Sequence, residues 1–246
     1  MVTSDQTIYE QRCNLAASLR WAARLGLNEG VCNHFSLELE PGRYLINPQG
    51  LHWSEVSASD ILLIDESGKV LDGPHTLEPT AFFIHRWIHQ LNPHATCIMH
   101  THMPHATALT LVHGLELAWC NQSTLRFWDR VAYDNHYGGL ALDDDEGRRI
   151  GSMLNGKDVM FMASHGITVV GPNVAWTFDD LYYLERACMH QILAQQAAGA
   201  GKPLRHIPPA VCELVAAQIA SERGQSDMHF DSIKRMLDAQ EPGWRE

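Results

Sequence analysis

The stretch ATCIMHTHMPHATALT, residues 95–110, decides how the chain is read. Ala95 to Met99 is a short apolar run of the kind that forms a buried strand. His100-Thr101-His102 ends it, and Pro104 opens a helix at a position where proline is tolerated. On an extended strand, residues two apart point to the same face. The imidazoles of His100 and His102 therefore converge on one side, as two ligands of a divalent metal must. The alternative for an isolated H-x-H is a pair of packing or surface histidines. A third ligand would have to come from elsewhere, and Ser164-His165-Gly166 is the best candidate. It lies between two apolar runs, Val159–Met162 and Ile167–Val170, with a glycine that lets backbone approach closely.

Working outward, Phe82, Phe83, Trp87 and Leu91 repeat at helical spacing over 80–91, and Asn92-Pro93 stops that helix. Earlier, residues 7–25 carry a helical pattern, and Phe35–Leu39, Tyr44–Ile46 and Ile61–Ile64 read as strands. Pro48-Gln49-Gly50 is a turn, and Asp65–Lys69 reads as a hairpin connection. Later, 143–154, 174–197, 209–222 and 228–239 read as helices. Helices and strands that mix without strict alternation predict an α/β layered domain. Neither a repeat nor a low-complexity linker divides the chain. One domain over 1–246 is expected, with a core of about 7–200 and a helical extension over about 205–242.

The composition narrows the function classes. The chain has 246 residues, and its 18 Lys+Arg against 29 Asp+Glu give a net charge of −11. Nucleic-acid binding needs clustered cations, so that class is a poor fit, as is an anionic membrane surface. No apolar run is long enough for a membrane span. The polar start, MVTSDQTIYEQRC, has no secretory pattern, and six scattered cysteines without C-x-x-C read as reduced thiols, so a cytoplasmic protein is expected. The unusual count is 15 histidines, eight of them between His75 and His113.

Several segments together resemble the class II aldolase/adducin family. They are HTHMPHATAL, the later ASHGITVVG, and the earlier NPQG and ASDILLID. The resemblance runs from the first helix to about Gln196. It implies a three-layer α/β/α sandwich around a central, mostly antiparallel sheet. It also implies a divalent metal, zinc first (with manganese, iron, cobalt or nickel as alternatives), held by His100, His102 and His165. A small-molecule substrate and a homotetramer with sites at subunit interfaces follow from the same resemblance.

The sugar-phosphate aldolases of that family carry a glutamate four residues before a helix histidine. Here that histidine is His85, and the matching position is Ala81. Glu78 is three residues earlier, about 4.5 Å of helical rise away. LEPTAFFIH, VAYDNHYGGLALDDDEGRRI and LYYLERACMHQ look more like the adducin-like branch, which lacks that acid. The family's phosphate-binding turn corresponds to Asn33-His34, and its second loop to Gln49-Gly50, so few phosphate donors remain. The expected activity is a metal-dependent carbon–carbon lyase, of aldolase or decarboxylase type, on a small non-phosphorylated carbonyl or carboxylate compound. A catalytically silent adducin-like binding protein is the rival. A sugar-phosphate aldolase with Glu78 as a shifted acid/base is the third reading.

Asn33, His34, Gln49 and Gly50 are the substrate-binding candidates, with Gly50 needed for its backbone. Glu78 and His105 are acid/base candidates; His105 can equally be a packing histidine. Tyr133 and Tyr137 read as loop residues, and the resemblance to the family's aldolases, which bring a tyrosine across the subunit interface, implies that one of them is a proton donor at a neighbouring subunit's site. His85 and His89, one helical turn apart, are read as structural or as supports behind the ligands. Asp143–Glu146 is read as a helix N-terminus, because acids favour that end of the helix dipole.

Overall fold

The computed structural model describes residues 4–246; the first three residues of the polar N-terminal stretch, and with them the start of the expected domain, lie outside the described residues. Eight strands form one sheet. They are β1 (His34–Glu40), β2 (Arg43–Ile46), β3 (Leu62–Asp65), β4 (Val70–Asp72), β5 (Cys97–Thr101), β6 (Val131–Asp134), β7 (Val159–Met162) and β8 (Gly166–Gly171). Their order is β4-β3-β2-β1-β5-β8-β7-β6. Neighbours run antiparallel except β6 and β7, which are parallel. The helices are α1 (Ser4–Arg24), α2 (Pro79–Leu91), α3 (Pro104–Thr110), α4 (Gln122–Leu125), α5 (Asp144–Met153), α6 (Val174–Ala198), α7 (Pro209–Ser221) and α8 (Gly224–Gln240).

Period-two alternation explains the layering. Phe35 and Leu37 of β1, Cys97 and Met99 of β5, and Ile167 and Val169 of β8 point to one face. There they pack against Leu15 and Leu19 of α1, Leu181 and Leu184 of α6, and Phe230 and Ile233 of α8. Within the helical stretch over 205–242, α8 thus adds its apolar side to this core. Ile98, Val170 and Met160 point to the other face, against Ile84 and Ile88 of α2 and Ile150 of α5. The result is the expected sandwich of helices, sheet and helices.

The same alternation puts polar residues on the α2 face. His34 pairs with His100 across β1 and β5, and His100 pairs with Thr168 across β5 and β8. One row of the ladder therefore reads His34–His100–Thr168, beneath α2. That helix starts at Glu78, whose carboxylate caps Ala81 N–H, with Pro79 just inside. It ends at Asn92, whose Nδ2 donates to the Ile88 carbonyl. The Asp143 carboxylate caps α5, with Asp144, Asp145 and Glu146 in its first turn, as the acid run suggested.

Two of the differences from the sequence reading bear on the site. The strand expected over 95–99 runs instead over Cys97–Thr101, so His100 lies within it. The segment expected to be a loop at Tyr133 is strand β6. Its short, half-buried pattern at the sheet edge carries little periodicity to recognise.

Candidate metal centre and cavity

His100 leaves the sheet through β5, and His102 follows one residue beyond the strand. Their Nε2 atoms are 3.3 Å apart. Two nitrogens at zinc-ligand distance in a tetrahedral site are themselves about 3.3 Å apart. His165 comes from the β7–β8 turn, with ring centroids 4.8 Å from His100 and 4.9 Å from His102. One ligand atom from each of the three lies within 4.8 Å of the other two, and this is the one such group found among the described residues. The backbone makes room for it. Ser164 adopts φ 56°, and a Cβ on Gly166 would fall 2.6 Å from both the Thr101 carbonyl oxygen and His102 Cδ2.

The far nitrogens are oriented for ligation. His102 Nδ1 pairs with the Glu29 carboxylate, and His100 Nδ1 lies 3.3 Å from Thr168 Oγ1. Either contact directs Nε2 toward the shared point, the arrangement that raises ligand basicity in metal sites. Burial holds the His100 imidazole well below its usual range and brings His165 to about 4, each also disfavoured by neighbouring histidines. These rings are therefore neutral at pH 7, as metal ligands must be. The donor set fits a borderline divalent ion, with an open position left beside three imidazoles.

A cavity of about 570 Å³ opens on this centre. The structure brings nine sequence candidates to its lining: His100, His102 and His165, with Asn33, His34, Gln49, Gly50, Glu78 and Tyr137. Gly50 has φ +84°, which gives its backbone reading a cause. Asn33 also sits at positive φ, and its Oδ1 accepts from the backbone of Glu29 and of His102. Its Nδ2 is buried with no partner among the described residues. Glu78 accepts from Ala81 N–H and Thr80 Oγ1, both at 2.6 Å and both on Oε2. It lines the cavity without joining the three-imidazole group.

Two candidates go elsewhere. Tyr133 stacks on Phe161, and its hydroxyl accepts from Leu117 N–H at 3.0 Å. Burial pushes that phenol up to about 12. Strand β6 holds it away from the imidazoles, so it does not line this cavity. His105 is drawn to α6 instead, its Nδ1 2.7 Å from Glu185. Tyr137 is the tyrosine near the centre, 6.2 Å from the His165 ring by centroids, on the lining of its own chain's cavity.

The sequence reading missed Glu29, which lies 73 positions before His102, and the apolar wall of Val31, Ile84 and Leu140. A second cavity, of about 600 Å³, has Arg126, Arg130 and Arg223 on its wall. Those cations already pair with Asp158, Asp179 and Asp180, so it shows no unmet charge.

Residues 13–192 match the family model of the Class II Aldolase and Adducin N-terminal domain. The chain belongs to this family. A crystal structure of an aldolase II superfamily protein from Pseudomonas syringae superposes with TM-score 0.87 at 31% identity, covering 97% of this chain and 96% of that one. Decarboxylase NovR of Streptomyces niveus is 29% identical over 84% of this chain and 76% of its own length. Mouse alpha-adducin is 27% identical over 96% of this chain but only 34% of adducin. The class II aldolase family thus contains metal-dependent lyases and decarboxylases as well as adducin. No helix among the described residues is long and apolar enough to cross a membrane.

Proposed function

We propose that this chain is a metal-dependent carbon–carbon lyase, of aldolase or decarboxylase type, acting on a small non-phosphorylated keto or hydroxy acid. The observation that carries this reading is the pair of Nε2 atoms 3.3 Å apart, each directed by its own partner and facing an open cavity. A scaffold that only binds proteins has no physical need to converge three imidazoles on one point.

His100, His102 and His165 would hold the ion, zinc first. When bound, such an ion polarises a carbonyl or stabilises an enediolate oxygen. The chain's own groups do the rest. Asn33 Nδ2 is a buried donor with no partner, suited to a substrate oxygen. Glu78 is the carboxylate on the cavity wall and the acid/base candidate; its capping bonds hold Oε2 and leave Oε1 to serve. Tyr137, beside His165 on the cavity lining, is the candidate proton donor. The apolar lining of Val31, Ile84 and Leu140 suits a short carbon skeleton.

The absence of cations argues against a phosphate. Among the described residues, no lysine or arginine lines the cavity, and Glu78 adds a carboxylate there. The resemblance to NovR favours the decarboxylase branch. Exposed Tyr137, Val31 and Leu140 on the cavity lining suit a tetramer in which another copy covers them, and a cytoplasmic enzyme fits the reduced thiols.

A screen of small keto and hydroxy acids with zinc-loaded protein tests the reading. Release of carbon dioxide or an aldehyde, lost in Glu78→Gln with metal content intact, is the expected result. Full metal loading with no turnover of any such acid would favour the silent adducin-like alternative.

A further inference from the structure

The polar residues beneath α2 form one hydrogen-bonded chain, and its direction can be read from its closed end. The Ala95 carbonyl oxygen can only accept, and His89 Nδ1 lies 2.6 Å from it, so Nδ1 carries the hydrogen. In a neutral ring His89 Nε2 then accepts, and the Ser36 hydroxyl donates to it at 2.8 Å. With its one hydrogen committed, Ser36 Oγ accepts from His85 Nδ1 at 2.5 Å. His85 Nε2 must then accept, and His34 Nδ1 donates to it at 2.7 Å. His34 Nε2 is left with a lone pair.

The reverse direction is costly. It would place a hydrogen on both nitrogens of His89, making a cation. That ring is buried against Tyr44, and none of its described hydrogen bonds is to a carboxylate. A charge on His34 is opposed in the same way. Its ring stacks on His100, with centroids 4.9 Å apart and planes 22° from parallel, so a bound divalent ion would repel it.

We propose that His34 Nε2 is a fixed hydrogen-bond acceptor in the cavity, locked by the chain His34–His85–Ser36–His89–Ala95, and that the substrate presents a hydroxyl there. A phosphate or carboxylate oxygen at this position would set lone pair against lone pair. His34 thus selects a hydroxylated skeleton beside the metal-bound group. His85, Ser36 and His89 are positioning residues, which accounts for buried imidazoles that the metal does not use. The tautomer stands on geometry alone, whereas the substrate class rests on the lyase reading.

Neutron diffraction on the zinc-loaded protein reads the tautomer, because it shows hydrogens directly. Deuterium on Nδ1 of His34, His85 and His89, with none on His34 Nε2, is expected; deuterium on His34 Nε2 overturns the proposal. Calorimetric titration with pyruvate, hydroxypyruvate and phosphonopyruvate reads the selection, since the three share one keto-acid head. Hydroxypyruvate should bind about tenfold tighter than pyruvate, the scale of one hydrogen bond, and phosphonopyruvate weakest. Ser36→Ala should free the His34 tautomer and shrink that preference. Equal binding of pyruvate and hydroxypyruvate, or tighter phosphonopyruvate, overturns the selection. If none of the three binds while the tautomer is as stated, the lyase reading fails and takes the substrate class with it, leaving the acceptor in place.

Discussion

Glu29 and His102 are 73 residues apart, yet the Glu29 carboxylate pairs with His102 Nδ1 and turns Nε2 of that ring toward His100. Glu29 is largely exposed, so its pairing contributes little to folding in screened solvent. Its consequence lies in ligand orientation and basicity. Glu29→Ala is therefore expected to lower metal affinity about 10–100-fold while the melting temperature of the metal-free protein hardly changes. Chelator competition alongside thermal melts checks both parts.

Gly166 lets the β7–β8 turn pass against β5. A methyl group there would meet a backbone oxygen and a ligand ring, both at 2.6 Å. Gly166→Ala should cost about 1–3 kcal/mol and displace His102 or His165. Reduced metal affinity together with a lowered melting temperature is expected; unchanged values for both would show that the turn yields without strain.

Glu78 separates two roles. Glu78→Gln keeps an oxygen that can cap Ala81 but removes the titratable group. Turnover should fall about 10²–10⁴-fold with metal content and stability retained. Glu78→Ala should in addition lose about 0.5–2 kcal/mol of stability with the cap. Comparing rates and melts of the two variants distinguishes catalysis from capping.

The buried histidines make the metal-free protein acid-sensitive. Burial brings His89 and His165 to about 4 and His34 to about 3. Unfolded imidazoles bind protons near 6.5, so between that pH and about 4 the unfolded chain holds more protons. Stability is therefore complete above about pH 6.5 and is lost progressively as pH falls toward 4 and below. Melting temperatures measured in chelator across that range should drop steeply. A flat profile would show that these rings are already charged in the folded protein.

Much of the centre was legible because strand geometry is local. His100 and His102 share a face by the two-residue period, and Gly166 marked a close approach whatever passed beneath it. Pro48-Gln49-Gly50 was legible as a turn from its own residues, but a substrate-binding role for Asn33-His34 and Gln49-Gly50 was suggested only by the family resemblance. Glu29, by contrast, is an acid in a polar stretch, and only the fold brings it to His102. The chain from His34 to His89 was hidden for another reason. Periodicity marks apolar faces, whereas buried polar groups satisfy one another in pairs that depend on register. Tyr133 shows the converse error. Its neighbours resembled a loop, but parallel pairing of β6 with β7 commits its hydroxyl to Leu117.

The central claim is that His100, His102 and His165 together hold one divalent ion. Metal analysis of the purified chain and of His100→Ala tests it most directly. The account predicts about one ion per chain in the parent and near none in a folded His100→Ala variant. Full metal content in that variant would contradict it.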